Sequence, residues 1–250
     1  MLKITQNADI AIVQLNRPKV NAINHEMVLQ LSACLDNFIK DDSVRGVILA
    51  GLPGVFSGGL DVLDLYPRDQ AYMTQFWQDF TDLLHRLFTY PKLIFTAITG
   101  HSPAGGTVLA IMTDYRIMAK GEYSVGLNEV AVGLILPNSI GQVYQYLLGN
   151  RKAERMAITG SLVSPKEALE IGLVDELCDS AEITDLALMR MQDWLKLPAF
   201  QQTTTKLQLR ENVIERFRKY QSTDVAKMVE IWFQPSFQKV MGDLVKKLQS

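Results

Sequence analysis

The sequence predicts an α/β fold with a largely parallel sheet. Three observations carry this. Short apolar runs alternate with stretches of helical periodicity, Gly and Pro punctuate the switches, and the last quarter of the chain reads as helix alone. Residues 2–5 and 10–15 flank Gln6-Asn7-Ala8-Asp9, the pattern of a hairpin, and Arg17-Pro18 stops its second strand. Over 24–39, Met27, Leu29, Leu31, Leu35 and Ile39 are spaced broadly as a helix face. Residues 44–50 form an apolar run between Asp41-Asp42-Ser43 and Gly51-Leu52-Pro53-Gly54, as a buried strand does. A helix is expected over 69–88, ending before Pro91, and a second buried strand over 93–99, closed by Gly100. A turn then leads to a helix at 106–112 and to short strands at 115–118 and 123–125. Helices are expected to begin near Pro137, Ala153, Pro165 and Ala181, with a last strand at 173–177. Residues 1–198 read as the core and 199–250 as a helical module.

Composition excludes several functions. Forty-eight per cent apolar and 21% charged residues over 250 positions describe a folded chain that needs no disulfide or metal staple. A formal charge of −2 gives no basic excess for general nucleic-acid binding. Cys34 and Cys178 lie far apart without a CxxC partner and read as buried thiols. No run approaches the roughly 20 apolar residues of a membrane helix, and residues 1–13 lack a secretory pattern. Ser57 and Ser102 miss the glycine spacing of a hydrolase elbow, and no phosphate-loop or dinucleotide fingerprint is present. His25, His85 and His101 are scattered without HExxH, so no metal site is expected.

What remains are two glycine-bearing turns, each after a strand. They are Gly54-Val55-Phe56-Ser57-Gly58-Gly59-Leu60-Asp61 and Gly100-His101-Ser102-Pro103-Ala104-Gly105-Gly106. Each is open to two readings: a plain turn, or a turn aiming a backbone N–H at a carbonyl oxygen, as in an oxyanion hole. A third stretch, 123–134, carries no charge except Glu129. A carboxyl group in apolar surroundings has a raised pKa and suits proton transfer near neutrality; a solvent-facing Glu at a helix start fits the pattern equally.

Together, in this order, these stretches resemble the crotonase superfamily of acyl-CoA enzymes. The resemblance begins at Asn16-Arg17-Pro18-Lys19-Val20-Asn21-Ala22-Ile23 and includes Asp114-Tyr115-Arg116-Ile117, Thr159-Gly160 and Gly172-Leu173-Val174. It implies a spiral of ββα repeats with a C-terminal helical trimerisation module, and trimers or hexamers made of two trimers. It implies an oxyanion hole from the N–H groups of Leu60 and Gly105, and a coenzyme A site over Lys19, Val20, Ala22, Gly58, Gly59, Asp61 and Val62. Coenzyme A belongs to the substrate, so no separate cofactor is implied, and neither nucleic acid nor membrane is an expected partner.

Hydratases of the family carry two glutamates; here Val108 stands at the first position and only Glu129 remains. The run 126–137 looks most like the Δ3,Δ2-enoyl-CoA isomerases, in which one base moves a proton from C2 to C4. The alternatives are a hydratase, a decarboxylase or thioesterase of the same family, or a degenerate non-catalytic paralogue. Asp61 is expected to fix the first turn, and Asp114 and Arg116 to form ion pairs. Asn128 either orients Glu129 or ends a strand. Phe76, Trp77, Phe80, Leu84 and Phe88 form a buried helix face that also suits the wall of an acyl tunnel. The last helix, with Phe233, Phe237, Lys239, Lys246 and Lys247, reads either as a cap over a neighbouring subunit's site or as a solvated face. The ends carry neither a presequence nor a peroxisomal signal, which makes a bacterial cytoplasm the expected setting and a mature mitochondrial-matrix form the other.

Overall fold

The computed structural model describes residues 1–249. The chain opens with the expected hairpin, β1 (Leu2–Asn7) antiparallel to β2 (Ile10–Leu15). Helix α1 (His25–Lys40) starts where Asn24 caps it, the side chain accepting from the Met27 N–H. A repeating unit follows, in which one strand joins a large sheet, the next joins a small sheet, and a helix returns the chain. The first unit is β3 (Gly46–Ala50), β4 (Gly54–Val55), the short α2 (Val62–Leu65) and α3 (Gln70–Phe88). The second is β5 (Leu93–Ile98), β6 (Gly100–Pro103) and α4 (Gly105–Ile111). The third is β7 (Tyr115–Ala119), β8 (Val125–Gly126), α5 (Asn138–Leu148) and α6 (Asn150–Thr159). Then come α7 (Pro165–Ile171), β9 (Glu176–Cys178), α8 (Ile183–Trp194), α9 (Ala199–Trp232) and α10 (Pro235–Gln249).

The large sheet runs β1-β2-β3-β5-β7-β9 and the small one β4-β6-β8; every pairing after the hairpin is parallel. This is the ββα spiral that the resemblance implies, built on the largely parallel sheet expected from the sequence pattern. Alternation along the strands builds two cores. Val47, Leu49, Ile94 and Ile98 face the main core with α1 and α3, while Ile48, Phe95 and Ile117 face a smaller one under Ile183, Ala187 and Met191 of α8. Among the described residues, no helix is long and apolar enough to cross a membrane.

Two expectations shift. Gly100 does not close a strand; it opens β6, and the second glycine-bearing segment is strand as far as Pro103. The last strand lies at Glu176–Cys178, not at 173–177. Gly172, at φ +84°, ends α7, and the N–H groups of Leu173 and Val174 turn back onto the Ala168 carbonyl. Pairing of β4 with β6 depends on Gly100, where an added Cβ would lie 2.0 Å from the Gly54 carbonyl carbon and oxygen. Gly100→Ala is therefore expected to cost at least about 1–3 kcal/mol, read as a lower thermal midpoint.

The terminal helices are fastened to this body. Lys206 and Arg210 of α9 each reach the Asp114 carboxylate at 3.0 Å, with all three side chains at most one-tenth exposed. Asp224, also on α9, accepts the N–H groups of Asn138 and Ser139 and so caps α5, which has no side-chain cap of its own. Arg116 pairs with Asp175 at 2.7 Å, as the sequence led us to expect of an ion-pairing residue. Helix α10 lies against α2, with Gly242 beside the Tyr66 hydroxyl.

Candidate active site

The first glycine-bearing segment is held by the loop at 17–23. Asn21 is fully buried; its Oδ1 accepts from the Arg17 N–H at 2.8 Å and its amide donates to the Phe56 carbonyl at 3.1 Å. The Ser57 hydroxyl donates to the Asn21 carbonyl and accepts from the Gly59 N–H. The Gly58 N–H donates to the Val20 carbonyl at 2.7 Å. Ile23 bridges both sides of Leu60, donating to the Gly59 carbonyl and accepting from the Asp61 N–H, each at 2.8 Å. In a parallel bridge of this kind the N–H of the middle residue faces away from the partner chain, so that of Leu60 is left free of it. Asp61 caps α2 through the Asp64 N–H and pairs with Arg17, the fixing role expected of it.

The second segment presents Gly105. Ala104 donates its N–H to the Gly126 carbonyl and holds φ +45°, a left-handed conformation that side chains other than glycine rarely adopt. Gly105 is the first residue of α4, where an N–H has no acceptor within the helix. The two segments touch: a Cβ on Gly59 would lie 3.5 Å from the Gly105 nitrogen. Among the described residues, neither the Leu60 nor the Gly105 N–H has a hydrogen-bond acceptor.

Both residues line one cavity of about 160 Å³. Apart from Asn128 and Glu129 its wall is mainly apolar, formed by Val62, Phe80, Val108 and Ile140 among others, and Glu129 is its one ionisable residue among those described. Glu129 follows β8, and its carbonyl accepts from Val132 and Leu134 to close a tight turn. Its side chain is buried and Oε2 has no hydrogen-bond partner among the described residues. Burial pushes its pKa up to about 7, opposed by a bond from its own N–H. Such a group takes up and releases a proton near neutral pH.

The structure thus brings Glu129, Leu60, Gly105, Gly58 and Val62 to one cavity. Gly59 and Asp61 are buried behind it, and Lys19, Val20 and Ala22 lie outside its wall, with Val20 against Gly58 and Lys19 exposed. Asn128 lines the cavity, and its Oδ1 has no partner among the described residues. His101 is an exposed β6 residue whose Nδ1 accepts from the Ser124 N–H. The helix face at 76–88 is buried as expected, and Trp77 and Phe80 also wall the cavity. Met241 and Leu244 of α10 line this chain's own cavity. Met228 and Trp232 of α9 are cavity residues that the sequence reasoning missed. Their signal is the spacing of Val225, Met228, Val229 and Trp232, which marks a buried face without saying what it faces.

Comparison with known proteins agrees with this geometry. Residues 5–249 match the enoyl-CoA hydratase/isomerase family model. Mitochondrial enoyl-CoA delta isomerase 1 of the mouse is 35% identical over 97% of this chain and 84% of its own length, and the human protein of that name is 32% identical over 97% and 81%. The crystal structure of human mitochondrial Δ3-Δ2-enoyl-CoA isomerase superposes with a TM-score of 0.95 at 31% identity, covering 99% of this chain and 98% of that one. An enoyl-CoA hydratase/isomerase family protein from Pseudomonas syringae gives 0.85 at 27% identity, covering 91% and 97%. The chain belongs to the enoyl-CoA hydratase/isomerase family, the crotonase-type enzymes its sequence resembles.

Proposed function

We propose that the protein converts 3-enoyl-CoA to trans-2-enoyl-CoA. The observation that carries this is the single ionisable side chain, Glu129, in an apolar cavity shared with two unpartnered backbone N–H groups. With the thioester oxygen on the N–H groups of Leu60 and Gly105, the Glu129 carboxylate takes a proton from C2. The electron pair moves toward the carbonyl, and the resulting dienolate oxygen gains negative charge that the two donors stabilise. The carboxylic acid then returns the proton to C4, and the double bond comes to lie between C2 and C3. One group that exchanges a single proton suffices, and the chemistry calls for no activated water. Val108, beside the same cavity, has no means of holding or activating one.

The likeness to the mouse and human isomerases supports this reading. In it, coenzyme A runs from the cavity at Gly58 and Val62 out along Lys19, Val20 and Ala22, while Gly59 and Asp61, buried behind that wall, shape it. The helices from residue 199 serve as the trimerisation module. The exposed apolar side chains Phe200 and Leu209 of α9 and Ile158 of α6 support a contact between copies. Side-by-side assay of 3-hexenoyl-CoA and crotonyl-CoA tests the function. Absorbance of the conjugated thioester is expected to rise with the first and hold with the second. Rapid hydration of crotonyl-CoA without isomerisation overturns the reading. Because the base acts when ionised, kcat/KM is expected to rise about tenfold per pH unit below about 7 and level off above it.

A further inference from the structure

We infer that the Thr107 hydroxyl is a positioning group for the reaction, holding the Gly105 donor and the Glu129 base in one register. This rests on the isomerase reading above and names a further residue for it. Thr107 is fully buried and lies outside the cavity wall, so it acts through what it holds. The donor and the base sit on different elements. Gly105 opens α4, and Glu129 stands three residues beyond Gly126, the last residue of β8. Strand β8 runs parallel to β6, with Ser102 opposite Val125 and Pro103 opposite Gly126. The Ser102 N–H donates to the Ser124 carbonyl at 2.8 Å, and the Ala104 N–H to the Gly126 carbonyl at 2.9 Å. At the rung between them the Gly126 N–H and the Ser102 carbonyl face each other. The Thr107 hydroxyl is bonded to both. It donates to the Ser102 carbonyl and accepts the Gly126 N–H at 2.8 Å. A helix threonine ordinarily donates to a carbonyl three or four residues back in its own helix; this one reaches back five, onto the preceding strand. One oxygen of α4 thus ties that helix to β6 and β8 together. Without it, the Gly126 N–H must take the Ser102 carbonyl as sole acceptor or stay unsatisfied, and α4 loses its tie to both. Gly105 then shifts against Glu129, and a misplacement of about 1 Å can cost on the order of 100-fold in rate. The Val125 backbone exchanges two further bonds with Val163, so substitution at 107 loosens β8 without releasing it.

The test compares the full-length wild type with three variants. Thr107→Val keeps the shape without the hydroxyl, Thr107→Ala removes it without adding bulk, and Thr107→Ser retains it. On 3-hexenoyl-CoA, kcat is expected to fall about tenfold or more in the first two and to stay within a few-fold in Thr107→Ser. Calorimetric affinity for hexanoyl-CoA is expected to hold within a few-fold throughout, because the cavity wall is unchanged. The infrared stretch of the bound hexanoyl-CoA thioester carbonyl reads the donors without turnover. It is expected to lie below its value in water in the wild type and in Thr107→Ser, and to move back toward that value in the two hydroxyl-free variants. Wild-type kcat and carbonyl stretch in either folded hydroxyl-free variant overturns the inference, and a lower thermal midpoint alone would then mark Thr107 as structural. A loss of kcat in Thr107→Ser equal to that in Thr107→Val overturns it too. A lowered carbonyl stretch that the hydroxyl-free variants lose, with no isomerisation of 3-hexenoyl-CoA by the wild type, keeps the positioning of Gly105 and overturns the isomerase reading.

Discussion

Glu129→Gln is expected to lower kcat on a 3-enoyl-CoA by roughly 10²–10⁴-fold, the span usual for loss of a general acid–base group. Affinity for a saturated acyl-CoA is expected to stay within a few-fold, because the amide keeps the shape of the carboxyl group and the cavity wall is otherwise untouched. Near-normal turnover would remove Glu129 from the mechanism. The same variant carries a second, opposite signature. Burial raises the folded-state pKa from 4.5 to about 7. The stability associated with the protonated group is full below 4.5 and lost as pH rises through 7. Between pH 4.5 and 8 the stability difference is therefore expected to move toward the Gln variant, by up to about 3 kcal/mol. Chemical denaturation at the two ends of that interval measures it. Lost turnover with gained stability at pH 8 is the mark of a site that holds a costly charge for use.

Asp114→Asn is expected to be strongly destabilising. It leaves Lys206 and Arg210 buried together without their counter-charge. Burial already lowers the Lys206 pKa, with Arg210 nearby adding to that and Asp114 opposing it. Removing one partner of a buried ion pair costs roughly 3–5 kcal/mol. For a chain of this size that is a fall of roughly 6–20 °C in thermal midpoint. Asn still offers an oxygen to the Ile94 N–H, which Asp114 now binds at 2.9 Å, so the loss reads the charge rather than the backbone bond. Replacing Lys206 by Met in the variant is expected to recover part of it. A midpoint unchanged from the wild type would show that these charges are solvated in the native protein.

The fold was legible where local chemistry decides it. Asn24 and Asp69 stand at the starts of α1 and α3 and accept helix N–H groups there. Strand β3 reads as a buried run because both its faces meet a core. Legibility failed at β6 and β9. Glycine and proline at 100–106 announce a turn, but the neighbouring Gly54 and the acceptors on β8 recruit that backbone as a strand. At 173–174 an apolar pair imitates a strand, while it is the end of α7 that binds its N–H groups. Among the cavity residues, Glu129 and the glycine-bearing segments were legible because Glu129 is the lone charge in its stretch and the glycines mark close backbone approach. Trp232 and Met228 were not, because helical spacing records that a face is buried and not which surface covers it. The direction in which α10 folds was illegible for the same reason.

Trp77 and Trp232, which pack edge to face at the cavity wall, come from far-apart parts of the chain, one from α3 and the other from the end of α9. A nascent polypeptide emerging from the ribosome therefore carries Leu60, Gly105 and Glu129 well before the residues that complete their cavity. Until translation finishes, the aromatic face of α3 has no cover from α9. The newborn chain thus completes this cavity only when the segment from Met228 to Leu244 has been made.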